Sequence, residues 1–212
     1  MSPVSLLANK TPRAGLLPCF LVCVLSGCQS IAPPAAENTP WELQRSQLEA
    51  LQSWQLRGRV NVRYDNESHT PRIIWLQQHE QYRIRLWGTF NAGNTIITGR
   101  PGFVTLEQGG DTVTASSPEA LILDQLGYEL PVSYLEFWVR GLPAPASQAD
   151  LRFNAKNQLD SLSQDGWTVR FEDPRQYGGF SLPNAVEVSR PLNDLSLRFI
   201  GLNWSLDVSN EG

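Results

Sequence analysis

From residue 54 onward the chain repeats one pattern: apolar and polar residues alternate in short runs, and most runs end at a turn. In Trp54–Tyr64, Leu56, Val60, Val62 and Tyr64 fall on one face, while Gln55, Arg57, Arg59, Asn61 and Arg63 fall on the other. Tyr82, Ile84 and Leu86 alternate with Arg83 and Arg85 in the same way. A period of two belongs to a strand with one dry and one wet face, so these runs require an antiparallel sheet whose apolar side is covered. Further strands are expected at Arg72–Gln78, Asn94–Thr98, Phe103–Glu107 and Thr112–Ala115. The second half adds Leu151–Asn154, Leu159–Gln164, Trp167–Glu172, Ala185–Ser189, Leu195–Ile200 and Asn203–Val208. Asp65-Asn66, Gly109-Gly110 and Asp165-Gly166 supply tight turns. About a dozen strands of this kind leave three architectures open: one large antiparallel sheet, a barrel or a sandwich.

Three short helices accompany the strands. The first is expected from Trp41 to about Gln52, with Thr39 as cap and Pro40 at its first position. The second starts at Ser117-Pro118-Glu119, presents Leu121, Ile122, Leu123 and Leu126, and stops at Gly127. The third opens at Pro131, places Val132, Leu135, Trp138 and Val139 on one side, and ends at Gly141 and Pro143. Seven tryptophans lie between Trp41 and Trp204. Each by itself fits the core between sheet and helices. Together, on a curved sheet that few helices cover, they fit the wall of a greasy cavity for a hydrophobic ligand. The connection Trp87–Asn94 carries Phe90 at what is by default a wet loop tip. An exposed Phe90 points to insertion into a membrane or partner; the alternative is a ring folded back under the sheet.

The N-terminus reads as an address. Lys10 and Arg13 precede the apolar run Ala14–Leu25, which is too short to span a bilayer but suits an export signal. Leu25-Ser26-Gly27-Cys28 then forms a lipobox. Residues 1–27 are therefore expected to be removed, leaving a diacylglyceryl-modified Cys28 at the new N-terminus. Two or more acyl chains give stable membrane attachment. Gln29, rather than Asp, follows the cysteine and favours an outer-membrane destination, with the protein facing the periplasm. Residues 28–40 are rich in Ala and Pro and read as a tether; residues 41–212 read as a single domain.

Composition narrows the function classes. Against 21 acidic residues stand 17 basic ones, two of them in the leader, so nucleic acid is a poor partner. Three cysteines, two of them in the leader, exclude a disulfide framework and a Cys-built zinc site. His69 and His79 read as surface residues. No G-x-S-x-G, P-loop or dinucleotide glycine motif is present, and Gly178-Gly179 lies in a Pro-flanked stretch without a following helix. Glu107, Asp111 and Glu119 are scattered, with no spacing that suggests an acid–base pair. No catalytic residue, metal ligand or cofactor is assigned.

Several pieces stand in a definite order along the chain: Trp54–Arg63, Trp75-Leu76-Gln77-Gln78, Tyr82–Leu86, Ser117–Leu121 and Gln125-Leu126-Gly127. Leu130-Pro131-Val132, Phe137–Pro143, Gln164–Trp167, Leu182-Pro183 and Asn203-Trp204 continue it. With the lipobox, this series resembles the LolB family of outer-membrane lipoproteins. The resemblance implies an open antiparallel half-barrel with a lid of three short helices over an apolar cavity. It also implies a monomeric, non-enzymatic receptor that accepts acylated lipoprotein cargo from the periplasmic carrier LolA and inserts it into the outer membrane. On this reading the acyl-chain wall includes Trp75, Ile84 and Leu86 from the sheet, and Leu121, Ile122, Leu126, Leu135, Trp138 and Val139 from the lid. Family members carry Pro-Leu-Gly in the protruding loop where this chain has Thr89-Phe90-Asn91; Phe90 would supply the apolar tip. The competing classes are a structural or assembly lipoprotein that binds another envelope protein through a flat apolar patch, and a lipid-modifying hydrolase with a nucleophile in the hollow.

Overall fold

The computed structural model describes residues 40–88, 94–127, 129–190, 194–206 and 208. Among them the alternating runs become β1 (Ser53–Tyr64), β2 (Glu67–His69), β3 (Arg72–Gln78), β4 (Gln81–Trp87), β5 (Thr95–Arg100), β6 (Phe103–Gln108) and β7 (Asp111–Ala115). After two helices come β8 (Asp150–Phe153), β9 (Leu159–Gln164), β10 (Trp167–Glu172), β11 (Arg175–Tyr177), β12 (Phe180–Leu182), β13 (Ala185–Arg190) and β14 (Leu195–Ser205). The helices are α1 (Pro40–Ala50), α2 (Pro118–Leu126) and α3 (Val132–Trp138).

The main sheet runs β7-β6-β5-β4-β3-β1-β14-β13-β10-β9-β8, with β2 paired to the far end of β1. Neighbours along this path are antiparallel, and β7 and β8 remain edges. Of the three architectures left open, the open curved sheet is the one found. Its bend has a local cause. Between Arg57 and Arg59 the register of β1 against β14 shifts, opposite Gly201, whose φ of 63° is left-handed. A Cβ on Gly58 would come within 2.9 Å of the Ile200 carbonyl oxygen and the Leu202 side chain. Glycine at both positions lets two strands approach across a bulge, and a bulge bends and twists the sheet. Pairing with β1 on both sides of that bulge makes the segments expected at Leu195–Ile200 and Asn203–Val208 one strand, β14, which ends at Ser205. The short β2 and the hairpin β11–β12, turned by Gly178 and Gly179 at φ 53° and 89°, lie outside the strands read from sequence.

The helices are fixed by their ends. Ser117 caps α2 by accepting the Ala120 N–H at 3.1 Å, and Gly127 closes it in a left-handed conformation with its N–H on the Leu123 carbonyl. Such a cap contributes about 1 kcal/mol. α3 begins after Pro131 and has no side-chain cap of its own. Instead Glu119 of α2 accepts both the Ser133 N–H at 2.8 Å and the Ser133 hydroxyl at 2.7 Å. One carboxylate thus couples the two helices at a helix N-terminus, where negative charge is favoured. α1 buries Trp41 and Leu48. Its last turn is held by Arg140, which donates to the carbonyls of Leu48 at 3.0 Å and Leu51 at 2.7 Å.

Candidate functional site

The inward face of the sheet divides into a filled half and a half that stays partly uncovered. In the filled half, the Trp54 ring lies 5.3 Å from both Trp75, tilted at 52°, and Trp204, edge-on at 61°. Leu56, Ile73, Leu202, Val186, Val188 and Val169 close around them, all buried. Trp138 of α3 lies 6.3 Å from Trp167 of β10 and 5.3 Å from Tyr134. Six of the seven tryptophans are buried core, as the reading of each one singly expects; Trp87 is half-buried on the outward face.

The buried polar atoms of this half are mostly accounted for within it. Trp75 donates to Gln77 at 3.0 Å, and Gln77 donates to the His79 carbonyl. Trp138 and the Ala144 N–H donate to Gln164. Trp204 donates to the Pro183 carbonyl at 3.0 Å. Among the described residues the Trp54 indole N–H and the Tyr82 hydroxyl are buried without a partner.

The other half comprises β4 to β7 and the far end of β1. Cross-strand register puts Ile84, Ile97, Leu106 and Val113 in one inward row, with Leu86 and Thr95 beside it. Ile84 is buried, but Ile97, Leu106, Val113, Leu86 and Val62 are only half-buried although they face inward. α2 packs on β6 and β7 on one side and on α3 on the other, so it lies as a lid beside this row. Its Leu121 is buried and its Ile122 half-buried, whereas Leu123 is 50% exposed. Leu123 borders an open groove of about 330 Å³ shared with Leu130, Pro131, Trp167 and Arg190.

Of the residues predicted to form the acyl-chain wall, Trp75, Ile84, Leu121, Leu135, Trp138 and Val139 are buried, and Leu86 and Ile122 are half-buried. The structure brings Trp75, Ile84 and Leu86 together on adjacent strands. Leu135, Trp138 and Val139 join the core beside β9 and β10. The side chain of Leu126, the tip Phe90 and the lipidation residue Cys28 lie outside the described residues. Sequence reasoning passed over Ile97, Leu106 and Val113. The signal was present, because each is an alternate position of a short strand, but only the register identifies them as neighbours of Ile84.

Charged groups lie around this interior rather than within the inward apolar row. Burial pushes the Tyr82 phenol from its usual value of about 10 up to about 12, with Glu119 and Glu136 adding to the shift. Its ring covers Gly99, where a Cβ would overlap it. A folded-state pKa raised above the unfolded one gives stability that is complete below about pH 10 and lost as pH climbs toward 12. Tyr82→Phe is therefore expected to leave stability at pH 7 unchanged or raise it by up to about 1 kcal/mol, because it removes an unpartnered hydroxyl. It should also remove the phenol that titrates near 12 from an alkaline absorbance titration. A loss of more than about 1 kcal/mol on denaturant unfolding would mean the hydroxyl has a partner. At the exposed turn between β9 and β10, Ser147 and Tyr134 donate to Asp165 at 2.6 and 2.8 Å and hold its carboxyl below the usual range. No cluster of three or more His, Cys, Asp or Glu side chains able to hold a metal occurs among the described residues.

Residues 52–204 match the family described as Outer membrane lipoprotein LolB. The chain is 38% identical over 195 residues to an outer-membrane lipoprotein LolB of Stutzerimonas stutzeri, covering 89% of this chain and 93% of that one. It is 35% identical over 207 residues to the protein of that name in Chromohalobacter salexigens, covering 96% and 94%. Among solved structures, a LolA superfamily protein from Nitrosomonas europaea matches with a TM-score of 0.50 at 10% identity, over 77% of this chain and 90% of that one. A DUF1329 family protein from Desulfovibrio piger matches with a TM-score of 0.53 at 8% identity, over 79% and 92%. At these identities the two structures speak to the fold alone: an open antiparallel sheet with a small number of helices.

Proposed function

The chain belongs to the outer membrane lipoprotein LolB family, and from that premise we propose that it takes acylated lipoproteins from the periplasmic carrier LolA by enclosing their acyl chains between the β4–β7 half of the sheet and α2. It is an outer-membrane lipoprotein receptor in lipoprotein localization and not an enzyme. The observation that carries the mechanism is the inward row Ile97, Leu106 and Val113, with Leu86 and Val62: apolar side chains that face inward yet stay half-uncovered. The filled half, built on Trp54, Trp75 and Trp204, serves as the rigid floor against which that half opens.

Exposing an acyl chain of about sixteen carbons to water costs on the order of 12 kcal/mol. Release from a carrier into the periplasm is correspondingly slow. A receiving cavity that meets the chain directly avoids the aqueous state. Transfer runs downhill when this cavity holds the chain more tightly than the carrier and the bilayer holds it more tightly again. No nucleotide or covalent step is required. The protein acts as a monomer, fixed by acylated Cys28 and spaced from the bilayer by residues 28–40, and Phe90 carries the final step into the membrane.

The test is direct. The purified protein is mixed with a carrier–lipoprotein complex, and the partner that retains the cargo is identified after separation. Cargo that stays on the carrier would refute the reading. Phe90→Glu is expected to accept cargo normally but to deliver it to reconstituted membranes about tenfold more slowly, because a carboxylate resists entry into the acyl region. An unchanged delivery rate would remove Phe90 from the last step.

A further inference from the structure

The outward face of the sheet carries a charge pattern that the transfer of acyl chains does not use. β1, β3 and β4 contain no Asp or Glu, although the chain as a whole is net acidic. Their outward positions include Arg57, Arg59, Arg72, Arg83 and Arg85, and β5 adds Arg100, all exposed. Register sets them in rows: Arg57, Ile74, Arg85 and Ile96 side by side, then Gln55, Leu76, Arg83 and Thr98, and Arg59 against Arg72 and Trp87. Among the described residues none of these arginines has a carboxylate partner. Arg57 donates to Gln55 at 2.7 Å, and Arg85 donates to Asn94 at 3.2 Å while lying over the Trp87 ring. The nearest acid in these rows is Glu107, opposite Ile96. One strand beyond β1 the pattern changes, because Arg198 of β14 is neutralised by Glu172 at 2.8 Å and Glu187 at 3.9 Å.

We propose that the outward face of β1, β3, β4 and β5 is a membrane-docking surface that binds the anionic headgroups of phospholipid in the bilayer to which the protein belongs. Guanidinium groups form forked hydrogen bonds to phosphate. Half-buried Ile74, Leu76, Ile96 and Trp87 lie between them. Arginine and tryptophan interleaved with aliphatic side chains suit the boundary between headgroups and acyl chains, whereas a protein-docking patch would more often shed its charge at the centre. A groove of about 360 Å³ crosses this face, with Arg83 and Arg100 at its wall and Leu76 and Phe103 in its lining. Arg100 lies over the Phe103 ring, which is 41% exposed. β4 leads from this face directly into the connection that holds Phe90. The inference rests on the outer-membrane placement of the family and not on the acyl-chain hollow.

The test uses the mature chain with Cys28→Ala, so that the anchor does not mask binding. It is sedimented with vesicles of phosphatidylethanolamine containing phosphatidylglycerol, and with vesicles of phosphatidylcholine alone. Binding is expected only to the anionic vesicles and should weaken as salt rises. Each arginine near an anionic surface contributes about fivefold to partitioning, so Arg57→Gln, Arg59→Gln, Arg83→Gln and Arg85→Gln combined should weaken binding at least a hundredfold. The matching Arg→Lys variant should keep most of it. Cargo acceptance from the carrier complex, measured in parallel, should be the same for all variants. Equal binding by the Gln variant and the parent, or no preference for phosphatidylglycerol, would overturn the proposal. So would loss of cargo acceptance with vesicle binding intact, which would assign the face to a protein partner. If the fourfold variant fails to fold, the lipid and salt dependence of the parent decides.

Discussion

Ile97→Asp is expected to lower acceptance of an acylated lipoprotein by on the order of a thousandfold while the chain stays folded. Ile97 faces inward on β5 between Ile84 and Leu106 and is half-buried. A carboxylate there keeps part of its hydration in the empty protein, so the cost to the fold is moderate. Once an acyl chain occupies the space, the same carboxylate must lose its water against hydrocarbon with no cation in its inward row. That desolvation costs several kcal/mol and appears almost entirely in the occupied state. Thr98→Asp is the control, since Thr98 is the next residue, outward and exposed; it should accept cargo as the parent does. Thermal melts of both variants separate folding from binding. Full acceptance by folded Ile97→Asp would place the acyl chains elsewhere.

The second large effect concerns stability. Arg140→Ala is expected to cost about 3–5 kcal/mol, a large share of the roughly 5–15 kcal/mol that holds a typical domain. Arg140 is 3% exposed, and its guanidinium lies over the rings of Trp54 and Phe137. It donates to the carbonyls of Leu48, Leu51 and Glu136, and it pairs with the Glu136 carboxylate at 3.7 Å. Burial lowers the pKa of Arg140, and Glu136 opposes the shift; a guanidinium nevertheless stays charged in a protein. Burial raises the Glu136 pKa, and Arg140 holds it down.

Removing the arginine takes a donor from the carbonyls of Leu51, Leu48 and Glu136, of which Leu48 keeps the Leu51 N–H, strips the half-buried Glu136 carboxylate of its cation, and leaves an empty volume beside Trp54. It also gives the cost a pH signature. With Arg140 gone, the folded-state pKa of Glu136 rises further above its unfolded value. The stability linked to that proton is complete below the unfolded pKa and lost as pH rises through the folded one. The variant should therefore lose more at pH 7 than near pH 4, as read by denaturant unfolding at both. A loss below about 1 kcal/mol at pH 7 would mean that α1 is held by its apolar contacts and not by this cation.

Much of this was legible along the chain because the relevant physics is local. Alternation in Trp54–Tyr64 and Tyr82–Leu86 marks strand and face together, since successive side chains of a strand point to opposite sides. Ser117, Pro118 and Gly127 mark the ends of α2 because a cap is satisfied within four residues. Other features depend on partners distant in sequence. β14 reads as two strands because the bulge at Gly201 breaks the period, and its continuity comes from pairing with β1 on both sides of the bulge. α3 lacks its own cap and borrows Glu119 from α2. The residues Trp75, Leu135, Trp138 and Val139 share the apolar character of Leu86 and Ile122, yet they are fully buried where those two are half-uncovered.

Along the chain by itself one reads which side of the alternating strands is dry and where the helices begin and stop. Each of these follows from side-chain chemistry at spacings of two to four residues. Tertiary structure decided that the sheet stays open between β7 and β8, that tryptophans fill one half, and that Ile97, Leu106 and Val113 retain uncovered surface beside α2. The physical reason is that exposure depends on what lies opposite. For these residues the opposing elements come from far along the chain, so no short window of sequence contains the answer.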